Sequence, residues 1–166
     1  MEAVQLALGG LDEIDTVGAD SNPVETDITC NAHWVLPAIQ EILDANPMLT
    51  FTAGDVYAAC EVGAATLWTT ADGFVVTTGE TDAFTGQRTM LLWLAWAKKR
   101  GMNLVAQHQD FFVAQAREQG YKNIETRSAV PELREYFLEQ GWKIDTIVYT
   151  REICTYEDSI FDNIFR

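Results

Sequence analysis

Nine consecutive residues, Thr89-Met90-Leu91-Leu92-Trp93-Leu94-Ala95-Trp96-Ala97, limit what this chain can fold into more than any other segment. From Met90 to Ala97 the run is apolar at every position, so it shows neither the one-sided stripe of a surface helix nor the alternation of a half-exposed strand. It is far shorter than the ~20 residues that span a bilayer. Such a run belongs in the middle of a sheet, covered on both faces. A buried helix is the alternative form for so short a stretch.

The flanking segments favour the sheet. Residues 65–70 and 74–80 are strand-like and meet at Ala71-Asp72-Gly73, a hairpin signal. A polar loop with Gly86 (residues 83–88) leads into the apolar run. Upstream, residues 24–29 alternate as a first strand, and Asn31 is placed to cap a helix reaching about residue 45. Val35, Ala38, Ile39 and Ile42 fall on one face of that helix. Pro37 is expected in or near its first turn, since a deeper position costs about 3 kcal/mol. Thr52 caps a shorter helix, residues 53–62, which Gly63 ends. Downstream come Lys98-Lys99-Arg100-Gly101-Met102-Asn103, a long helix over 104–119 closed by Gly120, and a strand over 122–128. A helix over 132–140 begins at Pro131 and ends at Gly141, and residues 144–153 alternate as a last strand. A long helix between two strands implies a crossover and parallel pairing, while three adjacent strands imply antiparallel pairing. The expected fold is α/β: a mixed, mostly antiparallel, twisted sheet flanked by helices on both faces. Residues 1–22 form an extended arm, 23–153 the domain, and 154–166 an acidic and aromatic tail.

Charge narrows the partners. Twenty-five acidic residues against eleven basic ones give a formal net charge of -14. Phosphate backbones and anionic lipid repel such a chain, so direct nucleic-acid and membrane partners are not expected. Other proteins, reached through the arm and the tail, are, within a larger assembly; the acidity also serves solubility. Cys30, Cys60 and Cys154 form no CxxC, and His33 and His108 stand at no metal-ligand spacing, so no metal is expected. The cysteines read as reduced, part-buried residues. No basic segment followed by an apolar one opens the chain, and a cytoplasmic protein is expected.

The segment Glu132-Leu133-Arg134-Glu135-Tyr136-Phe137-Leu138-Glu139-Gln140-Gly141-Trp142, with the strand-like residues after it, resembles the penultimate helix, Gly-aromatic ending and closing strand of the GNAT (GCN5-related N-acetyltransferase) superfamily. Residues 24–43 resemble that family's opening strand and helix, and the order of elements agrees over residues 23–153. The chain is also similar to short GNAT-like proteins of tailed bacteriophages, some of them thought to be virion components.

The resemblance implies acetyl-CoA as cofactor, with Lys98, Lys99, Arg100, Gly101, Met102 and Asn103 as the loop that receives its pyrophosphate. In the family a basic residue or Gln, a Gly, and a final Gly or Ala stand in that loop. Lys98 and Gly101 match, and Asn103 departs. The family's usual general-acid Tyr falls on Phe137, which has no proton to give. Tyr136 is adjacent but points about 100° away around the helix. Residues 89–97 contain no carboxylate base. Glu80, Glu125 and Tyr136 are the remaining catalytic candidates, and Asp82 is a further acid nearby. Glu80, Asp82 and Glu125 also read as ordinary strand-edge acids, and His108 as a structural histidine. Two functions follow from the resemblance: a non-catalytic domain working through protein contacts, such as a phage virion component, or an active acetyl-CoA-dependent N-acyltransferase acting on an amine.

Overall fold

In the computed structural model, which describes residues 21–128 and 130–153, the apolar run is extended. The chain divides into two compact units, one up to residue 129 and one from Val130 onward. In the first unit the elements are β1 (Val24–Thr26), α1 (Ile28–Ala45), α2 (Ala53–Glu61), β2 (Ala65–Thr70), β3 (Gly73–Thr81), β4 (Arg88–Ala97), α3 (Leu104–Gln107), α4 (Gln109–Glu118) and β5 (Asn123–Thr126). The strands form one sheet in the order β1-β2-β3-β4-β5. All neighbours are antiparallel except β4 and β5, which run parallel from Thr89 opposite Asn123 to Leu92 opposite Thr126.

The helix starts follow from side-chain chemistry. α1 begins earlier than the alternation of residues 24–29 suggests, because Asp27 rather than Asn31 is its cap. The Asp27 carboxylate accepts from the Thr29 backbone N–H at 2.8 Å. Asn31 lies inside the helix, donating to the Asp27 carbonyl and accepting from the Trp34 indole N–H. Pro37 also lies well inside α1, not in its first turn. The backbone bond that Pro37 cannot donate is outweighed by burial of Ile28, Val35, Ala38, Ile39 and Leu43, each worth about 1–3 kcal/mol. α2 carries a complete capping box: Thr52 Oγ1 accepts from Asp55 N–H, and the Asp55 carboxylate accepts from Thr52 N–H.

The sheet has a core on each side. On one, α1 and α2 supply Val35, Ile39 and Val56 against Leu67, Phe74, Val76 and Leu94. On the other, Trp68 meets the rings of Phe111 and Phe112 edge-on, and its indole N–H donates to Thr77 Oγ1 at 2.9 Å. β4 serves both through a bulge. Val76 pairs with Leu94 but Thr77 pairs with Leu92, so Trp93 is the extra residue. Leu92 therefore shares a face with Thr77, and Leu94 one with Val76. Trp93 and Trp96 pack on the α1–α2 side, Trp93 against Phe51 and Trp96 against Phe74.

Further sequence expectations change. The long helix over 104–119 is interrupted at His108, which separates α3 from α4, although the i to i+4 bonds run on through Leu104, His108 and Phe112. The strand expected over 122–128 is confined to Asn123–Thr126. Residues 144–153 form no strand and are exposed throughout. Alternation fits a segment for a ladder without supplying the partner, and this segment has none among the described residues. In the second unit, α5 (Leu133–Glu139) ends at Gly141, whose φ of 87° needs a glycine, and Phe137 stacks edge-on against Tyr136 and Trp142. Cys30 is exposed, contrary to its expected partial burial, and Cys60 is half-buried, which raises its thiol pKa. The arm to residue 20 and the tail from 154, with Cys154, lie outside the described residues.

Candidate functional site

β4 and β5 pair over only four residues, and beyond Leu92 the strand continues to Ala97 with no ladder partner on the β5 side among the described residues. The backbone edge so exposed leads straight into Lys98–Asn103. This turn is fixed at its start by Lys98 N–H donating to the Asp72 carbonyl at 2.7 Å, which ties it to the β2–β3 hairpin. Gly101 sits at φ 84° with open space where a side chain would be. The side chains of Lys99 and Arg100 are exposed, and the N–H groups of Arg100 and Gly101 take no partner among the described residues.

The turn fits a pyrophosphate only in part. Its basic residues and the open backbone at Gly101 suit an anion. At its far end, however, Asn103 caps α3 itself: its Oδ1 accepts from Ala106 N–H at 3.1 Å. The family's Gly or Ala at this place has no side chain able to take that N–H. Asn103 thus fills from within a position that a phosphate oxygen takes at a free helix end.

The acidic candidates are elsewhere. Glu80 lies opposite Thr89, at the start of β4, and Glu125 opposite Leu91. At about 3.3 Å per residue, they stand roughly 20–30 Å along the strand from Lys98. The structure brings these two together through Arg127, which sequence reasoning missed. Its guanidinium bonds Glu80 Oε2 at 2.8 Å and Glu125 Oε1 at 2.7 Å, and the two carboxylates raise its own pKa. The signal was legible in part, since Glu125 and Arg127 are two apart in the stretch expected to be a strand. Tyr136 belongs to the second unit, on α5, and is exposed. Asp82 organises the β3–β4 turn: its Oδ1 accepts from the N–H groups of Phe84 and Thr85 and from the Thr85 hydroxyl, and these bonds hold its pKa below the usual value. At the tip, Phe84 is 99% exposed.

His108 is nearly buried, with Gln107, Asp110, Phe111 and Asn22 around a shallow cavity beside it. Burial lowers its pKa from 6.5, and the Asp72 charge opposes the shift. The unfolded chain therefore binds this proton more readily than the native protein does. Stability should be full above pH 6.5 and fall as pH drops through the lowered native pKa. The urea midpoint at pH 5.5 should lie below that at pH 7.5, and His108→Gln should flatten the difference. Equal midpoints in the unmodified protein would refute the assignment.

Among the described residues no cluster of His, Cys, Asp or Glu is arranged for a metal, and no helix is long and apolar enough to cross a membrane.

This architecture is the GNAT fold, and acetyltransferases are among the known structures that share it. A probable acetyltransferase superposes with a TM-score of 0.64 at 14% identity, over 81% of this chain and 100% of the other. The ribosomal-protein-alanine N-acetyltransferase from Brucella melitensis biovar Abortus 2308 gives 0.59 at 17% identity, over 80% and 100%. An aminoglycoside acetyltransferase from an uncultured soil metagenomic sample, in complex with sisomicin, gives 0.60 at 3% identity, over 81% and 96%. No family model and no curated protein sequence matches the chain. At these identities the likeness establishes a GNAT-like domain, with the fold in common.

Proposed function

We propose that this GNAT-like domain works through protein contacts as a non-catalytic structural component of a larger assembly, such as a phage virion. One observation carries the proposal. The candidate carboxylates, Glu80 and Glu125, are bridged to Arg127 far along the sheet from the Lys98–Asn103 turn. A carboxylate oxygen held by a guanidinium is poorly placed to accept an amine proton. The self-capped Asn103 and the phenylalanine at position 137 point the same way. Phe84 supports the contact role: it is a rigid aromatic held out on a hydrogen-bonded turn, as interface anchors are. Its neighbours Glu80 and Asp82 favour a partner surface with basic residues.

A second reading, an acetyl-CoA-dependent N-acyltransferase, draws on the edge of β4 beyond Leu92 and the N–H groups of Arg100 and Gly101, which take no partner among the described residues. In it the net charge of -14 would steer a cationic amine to the protein. Isothermal titration with acetyl-CoA separates the two. The structural role predicts no micromolar binding and no thiol release over a panel of amines and basic peptides, with the chain present in purified particles. Micromolar binding abolished by Gly101→Asp, with turnover of any amine, would overturn it.

A further inference from the structure

Residues 143–153, Lys-Ile-Asp-Thr-Ile-Val-Tyr-Thr-Arg-Glu-Ile, are exposed and strand-like in pattern, yet unpaired among the described residues. They hold out a large share of apolar surface: Ile147 is 64% exposed, Val148 77% and Tyr149 88%. The segment is also self-complementary. Lay a second copy antiparallel across it with Val148 opposite Val148, and Asp145 meets Arg151, Thr146 meets Thr150, and Ile147 meets Tyr149, twice each by symmetry. These are the opposite-charge, hydroxyl–hydroxyl and aromatic–β-branched pairs that stabilise antiparallel ladders. Shifting the register by one or two residues in either direction separates Asp145 from Arg151, so the sequence favours one alignment.

We propose that this segment is a homodimerisation strand, pairing with the same segment of a second copy about a two-fold axis at Val148. The contact is isologous, so it closes at two chains. On one face Ile147 and Tyr149 of both copies form a single apolar patch, flanked at each end by an Asp145–Arg151 pair. On the other, Val148 meets Val148 between the threonine pairs. A two-stranded ribbon alone is marginal in water, and both chains are strongly acidic, so the association is weak and depends on concentration.

The test uses the full chain and needs no other partner. In sedimentation velocity from low-micromolar to near-millimolar protein, the wild type should shift from monomer to dimer. Asp145→Arg and Arg151→Asp each place like charges opposite one another at two symmetry-related positions, and each should weaken dimerisation about tenfold. The double variant restores both pairs and should recover most of the wild-type association. Both side chains are exposed, and unchanged far-UV circular dichroism will confirm that the variants fold. Hydrogen exchange should show amides 145–151 becoming protected as concentration rises. A wild type that stays monomeric, a double variant no better than the singles, or protection independent of concentration would each overturn the proposal. Acetyl-CoA titration probes the Lys98–Asn103 turn instead, so either proposal can fail alone.

Discussion

Replacing Gly73 with alanine should destabilise the protein by about 3 kcal/mol or more. Gly73 opens β3 at a φ of 152°, where the hairpin from β2 turns directly under the end of β4. A methyl group there would overlap the Trp96 carbonyl oxygen and stand 3.0 Å from both Ala97 Cα and Leu104 Cδ1. Two of these three neighbours are backbone, in a central strand bonded to β3, so relief requires moving the strand rather than rotating a side chain. The loss should appear as a lower urea midpoint with an unchanged slope. Gly101→Ala is the control: its φ is also positive but nothing lies within 4 Å, so only backbone strain of about 1 kcal/mol applies. If Gly73→Ala costs no more than Gly101→Ala, the packing of β3 under Trp96 is wrong.

Phe112→Ala should cost about 3–5 kcal/mol. Phe112 is fully buried on α4 and meets Trp68 and Phe111 edge-on, the former from β2. Truncation leaves a cavity beneath a helix already interrupted at His108. It also loosens the Trp68 ring, whose indole N–H holds the buried Thr77 hydroxyl. Chemical unfolding measures the loss, and the combined fluorescence of the five tryptophans should shift to the red in the native variant as water reaches the Trp68 ring. A cost below about 1 kcal/mol would mean that α4 does not cover the sheet there.

Most of the fold was legible because its signals are local. Thr52 three residues before Asp55, Asp72-Gly73 at a hairpin, and the unbroken apolar run each specify backbone chemistry within a few residues. Where the sequence misled, a distant or competing partner decided. Asn31 looked like a cap, but Asp27 stands four residues earlier with the same chemistry and took the role. Pro37 is tolerated deep in α1 because Val35, Ala38 and Ile39 are buried around it, which no helix rule foresees. Residues 144–153 have the pattern of a strand, but pattern cannot supply a second strand. The candidate site was legible as a set of residues and not as a place. The resemblance to the GNAT family suggested the Lys98–Asn103 turn, while the separation of Glu80 and Glu125 from it depends on strand register, which only the folded sheet fixes. The capping role of Asn103 was within reach of the sequence; its consequence for anion binding needed the bond to Ala106.

The extra residue at Trp93 lets Leu92 and Leu94, two apart in the chain, serve opposite interiors. Another apolar residue at 93 keeps the phase of everything after it. Removing Trp93 would close the bulge into a regular ladder, with Leu94 still opposite Val76 and Trp96 still opposite Phe74, and would lose only the ring that packs on Phe51. A lineage of such proteins could therefore shed this one residue without reversing the faces of those that follow.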